Sequence, residues 1–227
     1  QQIIDNILNT DEKNLQARFL RARILFDNNQ LAYAKNIFLD ILKEQTHAGT
    51  YYYIGLIYRA EKNNRDAKAS FIKTVRLEPG HLNANLLLAQ MYLTEGEADL
   101  VIKQMSTVLA GHPRNYRAHI LTGDAYLQKK DFKKARDSYS RAEKIDPDNP
   151  IDYFQLANLD FHGRLYDDAM LRLDKVLSLK ADHMPAMSAK VSIYLAQNQP
   201  ARAIAFLDEL ILKHKESPML AAALYEK

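Results

Sequence analysis

The sequence predicts an all-α fold built by stacking antiparallel helix pairs, and three observations carry that prediction. Small residues recur at intervals of 34, at Gly55, Ala89, Gly123, Ala157 and Val191. Other columns keep the same interval: Tyr58, Tyr92, Tyr126 and Tyr194; Ala67, Ala135, Ala169 and Ala203; Phe71, Met105, Tyr139, Leu173 and Leu207; Pro79, Pro113 and Pro147. Within each unit apolar residues fall at i, i+3, i+4 and i+7 in two runs of about a dozen residues, the pattern of amphipathic helices. Each such unit buries its apolar face only against its neighbours, so the fold is a linear stack.

Residues 1–14 carry Ile4, Ile7 and Leu8 before the polar stretch NTDEKN and read as the end of a preceding unit. Residues 15–47 form the first complete unit, one residue shorter than the rest, with Ala17, Ala22, Leu25, Ala34, Phe38 and Ile41 in the matching columns. The unit at 48–81 has Asn63 before its second helix as a cap, a side-chain acceptor for the free amides of the first turn. Residues 82–115 depart from the pattern at Val101, where the small alanine is expected. In 116–149 the cap candidate is Asp131. The unit at 150–183 opens on Asn149-Pro150, a cap followed by proline at the first helical position, and places Asp160 in the tyrosine column. Residues 184–217 carry Lys190-Val191 where a large apolar residue and a small one are expected. Ser217-Pro218 repeats the cap signal, so 218–227, PMLAAALYEK, is predicted as the first helix of a following unit. Both flanks therefore predict a longer array. The repeated columns are packing positions: Gly or Ala lets two helices approach, the aromatic fills the space over the partner, and proline ends the second helix.

Composition removes several function classes. At 227 residues, 47% hydrophobic and 26% charged, the chain is that of a soluble folded protein. Lys and Arg exceed Asp and Glu by 31 to 28, and the net charge of +3 is too small to argue for nucleic acid or an anionic membrane as partner. The absence of cysteine removes disulfides, thiolate nucleophiles and cysteine-based zinc sites, while leaving the compartment open. The opening QQIIDNILNT has no initiator Met, basic leader or cleavage site, so no targeting segment is expected in it. No apolar run reaches the roughly 18 residues that a spanning helix needs.

The stretch YYYIGLIYRAEKNNRDAKASFIKTVRLEP, residues 51–79, holds Tyr51, Ile54-Gly55, Tyr58, Ala67, Phe71 and Pro79 in a pattern that resembles the tetratricopeptide repeat family. The resemblance covers essentially the whole chain. It implies a right-handed superhelical solenoid of antiparallel helix pairs, with positions 2, 5, 9 and 12 of each first helix turned to a concave side. Position 5 is Phe19, Tyr52, Leu86, Ile120, Phe154 and Ser188; position 9 is Arg23, Leu56, Gln90, Asp124, Asn158 and Ser192; position 12 is Phe26, Arg59, Leu93, Leu127, Phe161 and Leu195. The expectation is an apolar groove with a polar line down its middle, contacting ligand through Phe19, Arg23, Tyr52, Arg59, Leu86, Gln90, Ile120, Asp124, Phe154 and Asn158. The implied partner is a protein or peptide, or a second copy, with no cofactor and no nucleic acid. Within the family, chaperone-tail binders hold terminal carboxylates with Lys, Asn and Arg on three successive first helices, and no three consecutive units here supply that set. The alternative is a helper domain of a larger enzyme or bacterial export or exopolysaccharide assembly.

Nothing in the sequence points to catalysis. No glycine arrangement forms a phosphate cradle or nucleophile elbow, and no HExxH or EF-hand loop occurs. His47, His81 and His183 occupy the inter-repeat column that Asn14, Asn115, Asn149 and Ser217 fill elsewhere, so helix capping is their expected role. His112, His119, His162 and His214 fall at unlike positions, and no metal cluster is expected. The run KKDFKKAR, 129–136, reads as a solvated turn and outer helix face, the alternative being a contact for phosphate or an acidic partner. Asp160, between Leu159 and Phe161, is expected to reach solvent, because no base or metal partner is visible beside it.

Overall fold

The computed structural model describes residues 2–213, which contain thirteen α-helices and no strand. In chain order these are α1 (Gln2–Thr10), α2 (Leu15–Asp27), α3 (Leu31–Glu44), α4 (Ala48–Ala60), α5 (Asn64–Leu77), α6 (Leu82–Thr94), α7 (Ala98–Gly111), α8 (Tyr116–Gln128), α9 (Phe132–Ile145), α10 (Pro150–His162), α11 (Tyr166–Leu179), α12 (Met184–Ala196) and α13 (Pro200–Lys213). The helix predicted for 218–227 lies outside the described residues. The chain divides into two compact units, α1–α8 and α9–α13.

In the first unit α2 packs on α3, α4 on α5 and α6 on α7, and each of α3, α5 and α7 also packs on the helix that follows it. The repeated columns form the cores: Ala22, Ala34, Phe38 and Ile54 in one cluster, Ala67, Phe71, Ala84 and Leu88 in the next, then Ala89, Val101, Met105 and Leu121. A Cβ on Gly55 would lie 2.6 Å from the Phe71 ring, so nothing larger fits at this position unless that ring moves. Val101 is fully buried beside Met105, and the larger residue is accommodated in the core.

In the second unit Ala157, Ala169, Leu173, Val176, Ala186 and Ile193 join α10, α11 and α12. Lys190, in the column that holds Ile54, Leu88, Thr122 and Leu156 in the preceding units, is buried there without leaving its charge unpaired. Its Nζ lies 2.6 Å from Asp174 Oδ1 on α11 and 4.6 Å from the centroid of the Phe206 ring on α13. The stem thus serves as apolar filling while the ammonium keeps an acceptor.

Hairpin turns share one backbone device. Asn29, Lys62, Lys130, Arg164 and Asn198 have φ between 56° and 60°, and Gly96 has φ of 80°. Each is followed by an amide that reaches back to the carbonyl five residues earlier, as Asn63 N to Tyr58 O at 2.8 Å and Leu165 N to Asp160 O at 2.8 Å. This left-handed C-terminal closure satisfies carbonyls that the helix end leaves open.

Charged contacts cross the junctions between successive helix pairs. The Lys35 ammonium lies 4.3 Å from the Tyr58 ring centroid and 2.7 Å from Glu61, and Lys68 repeats the arrangement one unit on, over Tyr92 and against Glu95. One unit further the signs reverse, with Lys129 on the later element and Asp99 on the earlier at 2.5 Å. In the second unit Asp160 stands where the others have tyrosine. Contrary to the expectation of a solvent-reaching side chain, it has no solvent exposure and is held by Arg136 at 2.5 Å and Arg172 at 2.8 Å. The arginines come from α9 and α11, 24 and 12 residues away and outside the sequence neighbourhood of Asp160. Within KKDFKKAR, Lys129 and Arg136 therefore spend their charge on junctions within the fold.

The candidate binding face

First helices begin on side-chain caps. Asn14 and Asn115 accept the Ala17 and Ala118 amides at 3.0 and 2.9 Å, and Asn149 accepts that of Ile151 at 3.0 Å. His47, His81 and His183 do the same through Nδ1, accepting from Thr50, Ala84 and Ala186 at 3.2, 3.2 and 3.1 Å. The capping role expected for these three histidines is what the structure shows, and among the described residues no cluster of metal-ligating side chains occurs.

Position 5 is bound up with these caps. Phe19 lies 5.0 Å from the His47 ring and also contacts Phe38 and Tyr53; Tyr52 lies 4.6 Å from His81; Phe154 lies 5.1 Å from His183. All three aromatics are half-buried. Leu86 departs from the expected groove lining, for it is only 4% exposed and packs in the core that holds Ala118 and Leu121. Position 5 lies at the edge of the packed surface, and at Leu86 the side chain falls on the inner side of that edge. Ile120 is half-buried.

The polar candidates lie further out. Arg23, Arg59 and Gln90 are exposed on α2, α4 and α6; Asp124 on α8 is half-buried, as is Asn158 on α10 in the second unit. Positions 2, 9 and 13 lie within about 40° of one another on an α-helix, so Gln16, Asn83 and Arg117 at position 2 and Thr94 and Gln128 at position 13 share this stripe. All five are exposed. Position 2 belongs to the concave set that the resemblance implies, but its residues were not among the expected contacts, and position 13 lies outside that set; the 3.6-residue period alone points to both. Phe19 and Arg23 line a hollow of about 560 Å³ with Leu15, Leu20, Ile41 and His47. On α4 burial pushes the Tyr52 phenol above its ordinary value, with Tyr53 adding to the rise, while a hydrogen bond with Asn83 and the Arg59 cation oppose it. Tyr52, Asn83 and Arg59 thus form a donor-rich corner on two successive first helices. Such a stripe offers cations and carboxamides to a ligand; it contains no nucleophile with an adjacent base. Among the described residues no helix is long and apolar enough to cross a membrane.

Tetratricopeptide repeat models match residues 48–81, 102–150 and 164–225. Anaphase-promoting complex subunit 3 of Schizosaccharomyces pombe is 28% identical over 125 residues, covering 55% of this chain and 19% of that protein, so the chain spans about a fifth of that relative. Among solved structures, the tetratricopeptide protein YrrB superposes with a TM-score of 0.75 at 18% identity, covering 82% of this chain and 97% of YrrB. MamA from Desulfovibrio magneticus RS-1 gives 0.68 at 18% identity, covering 75% and 97%. With three repeat models on separate stretches, a shared helix-pair architecture and the repeated packing columns in agreement, this chain belongs to the tetratricopeptide repeat family.

Proposed function

We propose that the array is a non-catalytic scaffold that holds a segment of another protein along the exposed stripe of its first helices. The observation that carries this reading is that Arg23, Arg59, Asn83, Gln90 and Arg117, on α2, α4, α6 and α8, are all exposed. Carboxamides suit the amides and carbonyls of an extended peptide, and guanidiniums suit its carboxylates. The ligand is therefore a peptide whose acidic end meets Arg23 and Arg59 and whose donor-rich part meets Asp124, with apolar anchors against the exposed edges of Phe19, Tyr52 and Ile120. Phe154 and Asn158 offer the same two columns within the second unit. YrrB, described as having an unusual peptide-binding site, makes peptide capture a reasonable use of this architecture.

A peptide-display library selected on the intact chain tests the reading. Enriched peptides should carry acidic residues, and Arg23→Glu with Arg59→Glu should lower their affinity about tenfold or more through slower association, since exposed charges act mainly on encounter. Binding that survives this change but is lost with Lys130→Glu and Lys133→Glu would move the working surface to the outer face.

A further inference from the structure

Three first helices are capped by a group that titrates near neutral pH, while three equivalent helices are capped by one that does not. His47, His81 and His183 each accept the third amide of the helix they precede through Nδ1, and at His47 the Thr50 hydroxyl lies 3.0 Å from the same nitrogen. An Nδ1 that accepts a backbone N–H carries no proton, so each ring is neutral with its hydrogen on Nε2. Protonation would remove the acceptor and place a cation at the positive end of a helix, two effects of the same sign. Asn14, Asn115 and Asn149 perform the same capping at their own helices and do not titrate.

The pairing with position 5 follows the identity of the cap. Phe19, Tyr52 and Phe154 precede the histidine caps and contact their rings, whereas the aliphatic Leu86 and Ile120 precede the asparagine caps Asn115 and Asn149. We propose that His47, His81 and His183, each with its aromatic partner, are acid-operated latches that hold α4, α6 and α12 onto the preceding helix pair and release when the rings gain a proton.

At His47 the cation of Arg23 lines the same hollow, and Phe19 covers one edge of the ring. His81 faces the Tyr52 phenol, itself uncharged at neutral pH, with Asn83 bonded to that phenol. At His183 burial comes first and the Lys180 cation second in holding the ring below its ordinary 6.5, and the carbonyl contact of its own backbone and the Asp182 carboxylate oppose them. Phe154 carries no charge. A base whose folded value is depressed contributes stability that is complete above the unfolded value and is lost as pH falls through the folded one. The latch at His183 is therefore shut above the ordinary 6.5 and opens as pH falls through a value below it. His119 supplies the contrast: its Nε2 donates to Pro113 O at 2.9 Å, a bond that survives protonation.

The test compares the wild-type chain with the triple variant His47→Asn, His81→Asn and His183→Asn in urea unfolding from about pH 7.5 to about pH 5. Asparagine keeps the cap, so both proteins should be folded at the upper pH. Carboxylate titration is common to both and cancels. Wild type should lose about five- to tenfold more of its folded-to-unfolded ratio per cap over this interval than the variant does. Superimposable pH profiles would overturn the proposal. A second measurement stands even where the variant folds poorly: long-range nitrogen–proton correlation spectra of the wild-type imidazoles should show all three protonated on Nε2 at neutral pH, with His183 titrating below the ordinary 6.5. A proton on Nδ1 at neutral pH, or titration of His183 above that value, would also overturn it.

Discussion

A carboxylate with no solvent exposure persists at Asp160 because two guanidiniums reach it from separate helices, one to each oxygen. Arg136 occupies the place that Lys35 and Lys68 hold one residue after the packing alanine, so the change from tyrosine to aspartate is matched by a change from ammonium to guanidinium on the partner helix. The cost of the group depends on which side is removed. Arg136→Met with Arg172→Met leaves an uncompensated buried charge and should destabilise by about 3–5 kcal/mol. Asp160→Tyr with Arg136→Lys rebuilds the ring-and-ammonium contact of the earlier junctions and should cost about 1–2 kcal/mol, chiefly through misfit in packing. Urea unfolding of the two double variants measures the difference, and equal losses would show that the pairing is incidental. The sequence showed the anomaly at Asp160 but not its resolution, since the partners lie 24 and 12 residues away and only the stacking of helices unites them.

The helices and their caps were legible because both rest on local rules: a 3.6-residue apolar period, and Asn, His or Pro at fixed offsets from it. The hairpin closures were not, because Lys62, Lys130 and Arg164 occupy left-handed positions where a glycine would have been the signal, and only Gly96 supplies one. At such a residue the Cβ crowds the following carbonyl. Lys62→Gly should therefore stabilise the chain, by about 1 kcal/mol or less once the greater freedom of glycine in the unfolded state is counted. Lys62→Val should destabilise it, since a β-branched residue resists this conformation most. Thermal midpoints of the two variants should move in opposite directions. The candidate face was half legible for a related reason: periodicity separates inward from outward, yet an aromatic at the boundary reads the same whether it serves a ligand or, as at Phe19, Tyr52 and Phe154, a neighbouring cap.

At the scale of the whole chain, a stack in which each unit touches only its neighbours should tolerate removal of one unit, provided the surfaces brought together agree. Here they agree at one place and not at another. Excising residues 48–81 sets Lys35 against Tyr92 and Glu95, the partners that Lys68 has now. Excising 82–115 sets Lys68 against Tyr126 and Lys129, a cation facing a cation. Both proteins lose stability with the lost interfaces, but the second should lose about 1 kcal/mol more at low salt, and the gap should close as salt screens it. Denaturation of the two shortened chains at low and high salt measures this. The reversal of sign between the Lys68–Glu95 and Lys129–Asp99 junctions thus acts as an address. Segments that share a fold but not a seam are not interchangeable, and the order in which they follow one another is written into the charges where they meet.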